Sequence, residues 1–374
     1  MEAREPAELS PRLESAEGSA GASRKAARGR GAEFNPKNRF EALAYEPDLD
    51  CLDGDEEEEQ RPIRTQFLRD GARSIITRND SPDVGFEFSL NPYRGCEHGC
   101  TYCFARPTHE YLGFSAGLDF ESKIVVKEDA PELLREELSS PRWKPALLAM
   151  SGVTDCYQPV ERRLGLTRRC LAVLAEFRNP VAVITKNHLV TRDIDLLQEL
   201  ARWDAASVAI SVTTLDETLA RKLEPRASPP RRRLAAIREL SEAGVPVRVL
   251  MAPVIPGLTD HEMPSLLAAA AEAGAKGCGY VPLRLPWAVA PIFERWLETQ
   301  SPGEKEKVLG RIREMRGGRL NDARFGSRMR GEGFYATQMA QFFAVASRKA
   351  GLAGWGAELS TAAFRRPAEQ LSLF

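Results

Sequence analysis

Short apolar runs rich in β-branched residues alternate along the chain with longer segments whose apolar positions recur every three or four residues. The runs are FEFSLNPY (86–93), ALLAMSG (146–152), VAVIT (181–185), SVAISVT (207–213), VRVLMAP (247–253) and GYVPL (279–283), and each predicts a strand. Segments 166–177, 193–203, 232–243 and 261–273 carry helical spacing, several ending near a glycine able to adopt the left-handed C-terminal position. Six strands separated by helices imply parallel pairing through right-handed crossovers. Continuous apolar strands fit a parallel sheet covered on its far face, and either an open doubly wound sheet or a partial barrel satisfies the pattern. In both, ligands collect beyond the carboxyl ends of the strands. The polar residues there fall at 93–94, 151–155, 185–187, 211–214, 253–257 and 283–284.

The flanks differ from this rhythm. Residues 1–60 are rich in Glu, Arg, Ala, Gly and Ser with few aromatics, too little apolar area to offset ordering entropy, and are expected to be a disordered tail. Residues 61–85 form a lead-in, 86–290 the core, 291–350 a helical C-terminal extension and 351–374 a loosely ordered end. With 374 residues, 43% hydrophobic and 28% charged, the composition is that of a soluble globular chain, which excludes collagenous, disulfide-miniprotein and wholly disordered classes. No run approaches the roughly 20 apolar residues that span a bilayer, and the first residues lack the basic-then-apolar layout of a secretory signal. A cytoplasmic protein without a membrane partner is expected. The net charge of -1 is uneven: 46–60 holds nine acidic residues and no basic one, leaving a modest positive excess over the rest. A solvated surface accounts for that excess as well as an anionic partner does.

Seven cysteines are present, and Cys96, Cys100 and Cys103 crowd into eight residues directly after the first strand of the core. Three thiolates on one short loop can wrap a single metal centre. A structural zinc ion would want a fourth ligand, which His98 or His109 could supply. A [4Fe-4S] cluster takes one protein ligand per iron, so three cysteines leave one iron open to a small molecule.

Cys-x3-Cys-x2-Cys with Tyr102 in the aromatic place before the last cysteine resembles the hallmark of the radical S-adenosylmethionine (SAM) enzymes. The likeness runs over about 86–286. NPYRGCEHGCTYCFARPTHEY, TDCYQPVE, TKN, SVTTLD, LEPRASPPRRRLAAI and APVIPGLTDHE are similar to the branch that includes spore photoproduct lyase. The resemblance selects the partial (β/α)6 TIM-type barrel. It also implies a [4Fe-4S] cluster on the three cysteines, SAM chelated to the fourth iron, and a one-electron reductant such as flavodoxin or ferredoxin. One electron would cleave SAM to methionine and a 5′-deoxyadenosyl radical, which abstracts hydrogen from substrate. It places Thr154 and Asp155 near the SAM amino group, Lys186 and Ser211 at its carboxylate, and Tyr102 beside adenine. A carboxylate near an ammonium and a cation near a carboxylate are chemically sensible pairs.

Nucleic acid is one candidate substrate, through a DNA-repair lyase-like activity. Cys156, beside Asp155, is a candidate hydrogen-atom donor, against the reading of a small buried hydrophobe. Glu224 and Arg226 are expected to pair with each other or with neighbouring loops, and Arg231, Arg232 and Arg233 to be a solvated helix start. The arginines and aromatics of 316–335 motivate an alternative, a nucleic-acid-binding protein with a structural cluster; a glycine-rich closing loop is the plainer reading.

Overall fold

The computed structural model describes residues 29–41, 63–352, 354 and 358–367. Its strands, in chain order, are β1 (Gln66–Arg69), β2 (Ile76–Arg78), β3 (Phe88–Leu90), β4 (Tyr93–Arg94), β5 (Lys123–Val126), β6 (Leu148–Met150), β7 (Val181–Thr185), β8 (Ala206–Ser211), β9 (Val247–Val254) and β10 (Gly277–Pro282). One sheet runs β10-β9-β8-β7-β6-β3-β2. Its first six strands pair in parallel and β2 joins antiparallel to β3, so the ladder does not close between β3 and β10. This is the partial (β/α)6 barrel, with one added edge strand. A smaller sheet, β1-β5-β4, stands beside it; its strands are too short and too exposed at β1 to give a periodic signal.

The six core strands form because both their faces are covered. All six residues of β8 are buried, as are four of five in β7. Helices cover the outer face with apolar stripes: Leu166–Phe177 buries Cys170, Leu171, Leu174 and Phe177, and Met263–Glu272 buries Leu266, Leu267 and Ala270. Each fully buried leucine contributes about 2 kcal/mol. After β10, helices Val289–Gln300 and Lys305–Met315 pack with the cysteine loop, and Gly333–Lys349 lies on Met263–Glu272, with the Phe343 ring tilted against Tyr280 at 4.5 Å. Among the described residues, no helix is long and apolar enough to cross a membrane.

Two boundaries need correction. Part of the expected disordered tail is ordered: the Gly31 and Ala32 amides donate to buried Glu121 at 2.9 and 2.8 Å, and Arg39 pairs with buried Glu110. A carboxylate inside the fold supplied the missing partner. The acidic run and the rest of 1–60 lie outside the described residues. At the other end, the loosely ordered segment is pinned where described: Phe364 meets Phe177, Arg365 donates to the Glu176 carbonyl, and Arg366 to those of Ser140 and Trp143.

Gly31 approaches the cysteine loop so closely that a Cβ there would sit 1.7 Å from the Gly99 carbonyl oxygen. Neither backbone can yield cheaply. Gly31→Ala is therefore expected to unseat 29–41 and speed tryptic cleavage at Arg39 by about tenfold or more, measured by limited proteolysis; an unchanged rate would mean the segment is held elsewhere.

Candidate functional site

The cysteine loop leaves β4 and is clamped from four directions. The Cys96 amide donates to the Phe120 carbonyl (2.9 Å), the Glu97 amide to the Gln158 side chain (2.8 Å), the Thr101 amide to the Leu223 carbonyl (3.0 Å), and Arg106 Nε to the Cys100 carbonyl (2.9 Å). Arg106 is fully buried and pairs with Glu121, the same carboxylate that holds the N-terminal segment. Gly99 takes φ +68°, and a Cβ there would lie 2.6 Å from Glu121, so the turn between the first two cysteines requires glycine.

The thiols face donors and cations. Burial pushes up the pKa of all three, and a carboxylate adds to the rise at two of them, Asp155 at Cys96 and Glu224 at Cys100; the Asp155 amide opposes it at Cys96, and Arg106, the Ala105 and Arg106 amides and Lys186 oppose it at Cys103. Lys186 and Arg233 lie on the same side for Cys100. Backbone amides and cations around sulfur favour a thiolate bound to a metal over a neutral thiol.

Beyond β6 and β7 a polar chain backs the loop. Asp155 accepts from Thr185 Oγ1 (2.8 Å) and the Tyr157 amide (2.9 Å) on one oxygen, and from the Lys186 amide (2.7 Å) on the other, which also lies 3.3 Å from His98 Nδ1. Burial opposes its charge, but His98 and the donors outweigh that and hold its pKa at about 2. The Asn187 side-chain oxygen accepts from the Leu189 amide, which turns its NH2 toward His98 Nε2 at 3.1 Å, while His98 Nδ1 faces Asp155. With donors around both oxygens, Asp155 organises the loop.

Lys186 Nζ donates to Ser211 Oγ (2.8 Å) and the Ala252 carbonyl (3.1 Å), which leaves one of its three donors for a ligand. Ser211 in turn donates to Ala252 (3.0 Å). Thr154 bonds the Tyr93 carbonyl at 2.7 Å, on the same loop. Tyr102 turns its hydroxyl onto Glu224, which also accepts from Thr213 and pairs with Arg233.

The family profile described as Radical SAM superfamily matches residues 90–270. An uncharacterized protein of Mycobacterium tuberculosis is 39% identical over 232 residues, spanning 62% of this chain and 67% of its own length. The chain belongs to the radical SAM superfamily. One of Methanocaldococcus jannaschii is 29% identical over 199 residues, 53% of this chain and 71% of its own. Among solved structures, spore photoproduct lyase complexed with dinucleoside spore photoproduct has a TM-score of 0.55 at 14% identity, covering 76% of this chain and 79% of that one, which shows a shared fold. Radical SAM enzymes use a [4Fe-4S] cluster and SAM, and need a reductant and a substrate.

The residues of this radical SAM chain fit that cluster. All three cysteines stand on one loop whose backbone is held by hydrogen bonds at Cys96, Glu97, Cys100 and Thr101, and Arg106 and Lys186 set positive charge against Cys103. Among the described residues, no three His, Cys, Asp or Glu side chains converge tightly enough for a single metal ion; a cube with one thiolate per iron is surrounded rather than gathered at a point. His98 is engaged by Asp155 and Asn187, and His109 is enclosed by Phe114 and Phe120, where burial lowers its pKa to about 4.

Several expectations change. Cys156, the candidate hydrogen-atom donor, is fully buried, its amide donating to Ser151 Oγ (2.8 Å) and its carbonyl accepting from Thr167 Oγ1 (2.7 Å). Cys156→Ser is expected to leave 5′-deoxyadenosine formation within about twofold of wild type, by chromatography of the quenched reaction, as befits a packing residue. For Glu224 and Arg226 the neighbouring-segment alternative holds: Glu224 pairs with Arg233, and Arg226 with Glu97 of the cysteine loop at 3.2 Å. Arg233 is 1% exposed rather than solvated. In 316–335, Arg316 caps the carbonyls of Leu283, Ser327 and Arg328, Arg328 pairs with Asp83, and Arg324 with Asp322 and Glu332, so these cations serve the fold.

Proposed function

We propose that this chain cleaves SAM reductively at the three-cysteine loop and uses the resulting 5′-deoxyadenosyl radical to abstract hydrogen from a nucleic-acid substrate. The observation that carries the first part is Lys186, whose Nζ is fixed by two acceptors beside Cys100 and Cys103 with a donor to spare. When bound, the cluster supplies the one electron that breaks a sulfonium C–S bond of SAM. Lys186 offers the ammonium for the SAM carboxylate, and Ser211 acts by orienting Lys186. Asp155, with Thr154 beside it, holds the loop against which the amino group would lie. Tyr102, tied to Glu224, supports the adenine side together with Ile255 and Leu283 in the same apolar cluster.

The substrate class rests on the surface after Cys103 and β10. Arg284 lies over exposed Phe104 at 4.8 Å, and Arg39 over exposed Trp287 at 4.2 Å. Aromatic faces interleaved with guanidinium groups stack unpaired bases and hold phosphate. Spore photoproduct lyase, which shares the fold, has been solved with a dinucleoside photoproduct, which agrees with this reading.

Lys186→Met is expected to weaken SAM binding by about 10- to 100-fold, the worth of one charged hydrogen bond, measured by equilibrium dialysis on anaerobically reconstituted protein. Unchanged affinity would remove Lys186 from the site. The reaction itself is tested by incubating reduced protein with SAM: 5′-deoxyadenosine supports the reading, and its absence with a fully reduced cluster defeats it.

A further inference from the structure

An open concavity of about 540 Å3 lies outside the cysteine loop, between the loops that follow β6, β7 and β8. Arg162, Arg192, Arg226, Arg232 and His188 line it, and no carboxylate does. The cations are only partly neutralised from behind. Arg192 pairs with Glu161 and Asp193, and Arg226 with Glu97. Arg232 reaches the His188 ring (3.1 Å), whose other nitrogen meets the Glu239 carboxylate at 2.8 Å, and among the described residues Arg162 makes no side-chain hydrogen bond or ion pair. Arg30 extends the surface, meeting Thr65 at 3.1 Å from one side while Arg226 meets it from the other at 3.4 Å. The 13-residue helix Pro230–Glu242 starts at the rim and adds its positive end.

The walls of this concavity are the same pieces that clamp the cluster loop. Gln158, next to wall residue Pro159, bonds the Gly95 carbonyl (3.1 Å) and the Glu97 amide. Asn187 bonds His98, and the Arg226 amide donates to the His98 carbonyl at 3.2 Å. One residue, Gln158, thus joins the wall at Pro159 to both chain neighbours of Cys96 by a single hydrogen bond each. The reaction requires one electron from outside at each reduction, and the thiols of Cys96 and Cys100 are buried.

We propose that this concavity is the docking surface for an acidic, low-potential one-electron carrier protein. The inference rests on the radical SAM reading and adds where its reductant binds. The carrier loses one electron and the cluster gains one; no bond breaks and no proton moves. Apart from His188 no ring faces the concavity: no Phe, Tyr or Trp lines it, so it lacks the broad stacking platform that nucleic acid finds at Phe104 and Trp287. A charged partner held by rim cations explains both the unpaired guanidinium groups and their place against the loop.

The test is the double reversal Arg162→Glu with Arg232→Glu, two residues outside the SAM site, in reconstituted protein whose thermal midpoint matches wild type. The probe is an acidic flavodoxin. The Kd by calorimetry is expected to rise by about tenfold or more, and its steep dependence on salt to flatten, because rim charges act at long range. The flavodoxin-driven rate of cluster reduction falls in parallel, while dithionite-driven SAM cleavage stays at the wild-type level. A Kd within about twofold of wild type at low salt overturns the proposal. So does an unchanged flavodoxin Kd accompanied by lost affinity for a single-stranded oligonucleotide, which would assign the surface to nucleic acid. Absence of dithionite-driven cleavage in wild type defeats the radical SAM reaction instead, and the calorimetric comparison still decides docking.

Discussion

Cys100→Ala is expected to lower 5′-deoxyadenosine formation by at least about 1000-fold, some 4 kcal/mol of lost rate, and to cut iron from about four per chain to a substoichiometric residue. The backbone around Cys100 is held independently of its sulfur, through Arg106 to its carbonyl and Leu223 to the next amide. The substitution should therefore remove a ligand without dissolving the loop. Cys170→Ala is the control: Cys170 is buried in the helix Leu166–Phe177, packed in the main core, and its loss should leave iron content unchanged. The pair of variants separates a ligand from a packing residue by iron and sulfide analysis under anaerobic conditions. Equal iron in both would contradict the assignment of the cluster to this loop.

The second large effect concerns Glu224. It and Arg233 are each only 1–2% exposed, and Arg233 also donates to the carbonyls of Ser211 (2.9 Å) and Ser228 (2.7 Å). Glu224→Ala leaves a buried guanidinium without its counter-charge, which costs about 3–5 kcal/mol, read as a shift of the urea midpoint at constant slope. Burial disfavours ionised Glu224, but Arg233 and then Lys186 outweigh it and hold the pKa at about 2, below its ordinary 4.5. Because the folded-state value is depressed, the stabilisation is complete above about pH 4.5 and is lost as pH falls toward about 2, a decline of about 3 kcal/mol. Glu224→Gln should lack that share of the acid-induced loss. If its acid curve parallels wild type, the pair is not what anchors Tyr102 and the strand end at Ser211.

The alternation of apolar runs and helical stripes fixed the six parallel strands and most covering helices, because strands buried on both faces and helices buried on one leave strong periodic traces. The cysteine spacing was equally legible, since one short loop carries all three ligands. What escaped were partnerships over long separations. Glu121 holds Gly31 and Ala32 from about 90 residues away, and no local pattern announces it. Asp155 and Asn187 meet because β6 and β7 are neighbours in the sheet, and His98 joins them because the cysteine loop is bonded to Gln158 after β6. Arg233 was legible in retrospect: it stands in phase with Ala236, Ile237 and Leu240, the buried stripe of its helix, where a solvated arginine does not belong. The burial of Cys156 was not legible either, because adjacency to Asp155 in sequence says nothing of how deep the next side chain lies.

The account depends on one iron remaining free for SAM while Cys96, Cys100 and Cys103 hold the other three. The direct measurement is electron–nuclear double resonance on the reduced, reconstituted protein with SAM carrying 15N at its amino group. A resolved 15N coupling, absent with unlabelled SAM and lost in Cys100→Ala, is the predicted result. A reduced cluster whose spectrum is unchanged by SAM and shows no 15N coupling would contradict it.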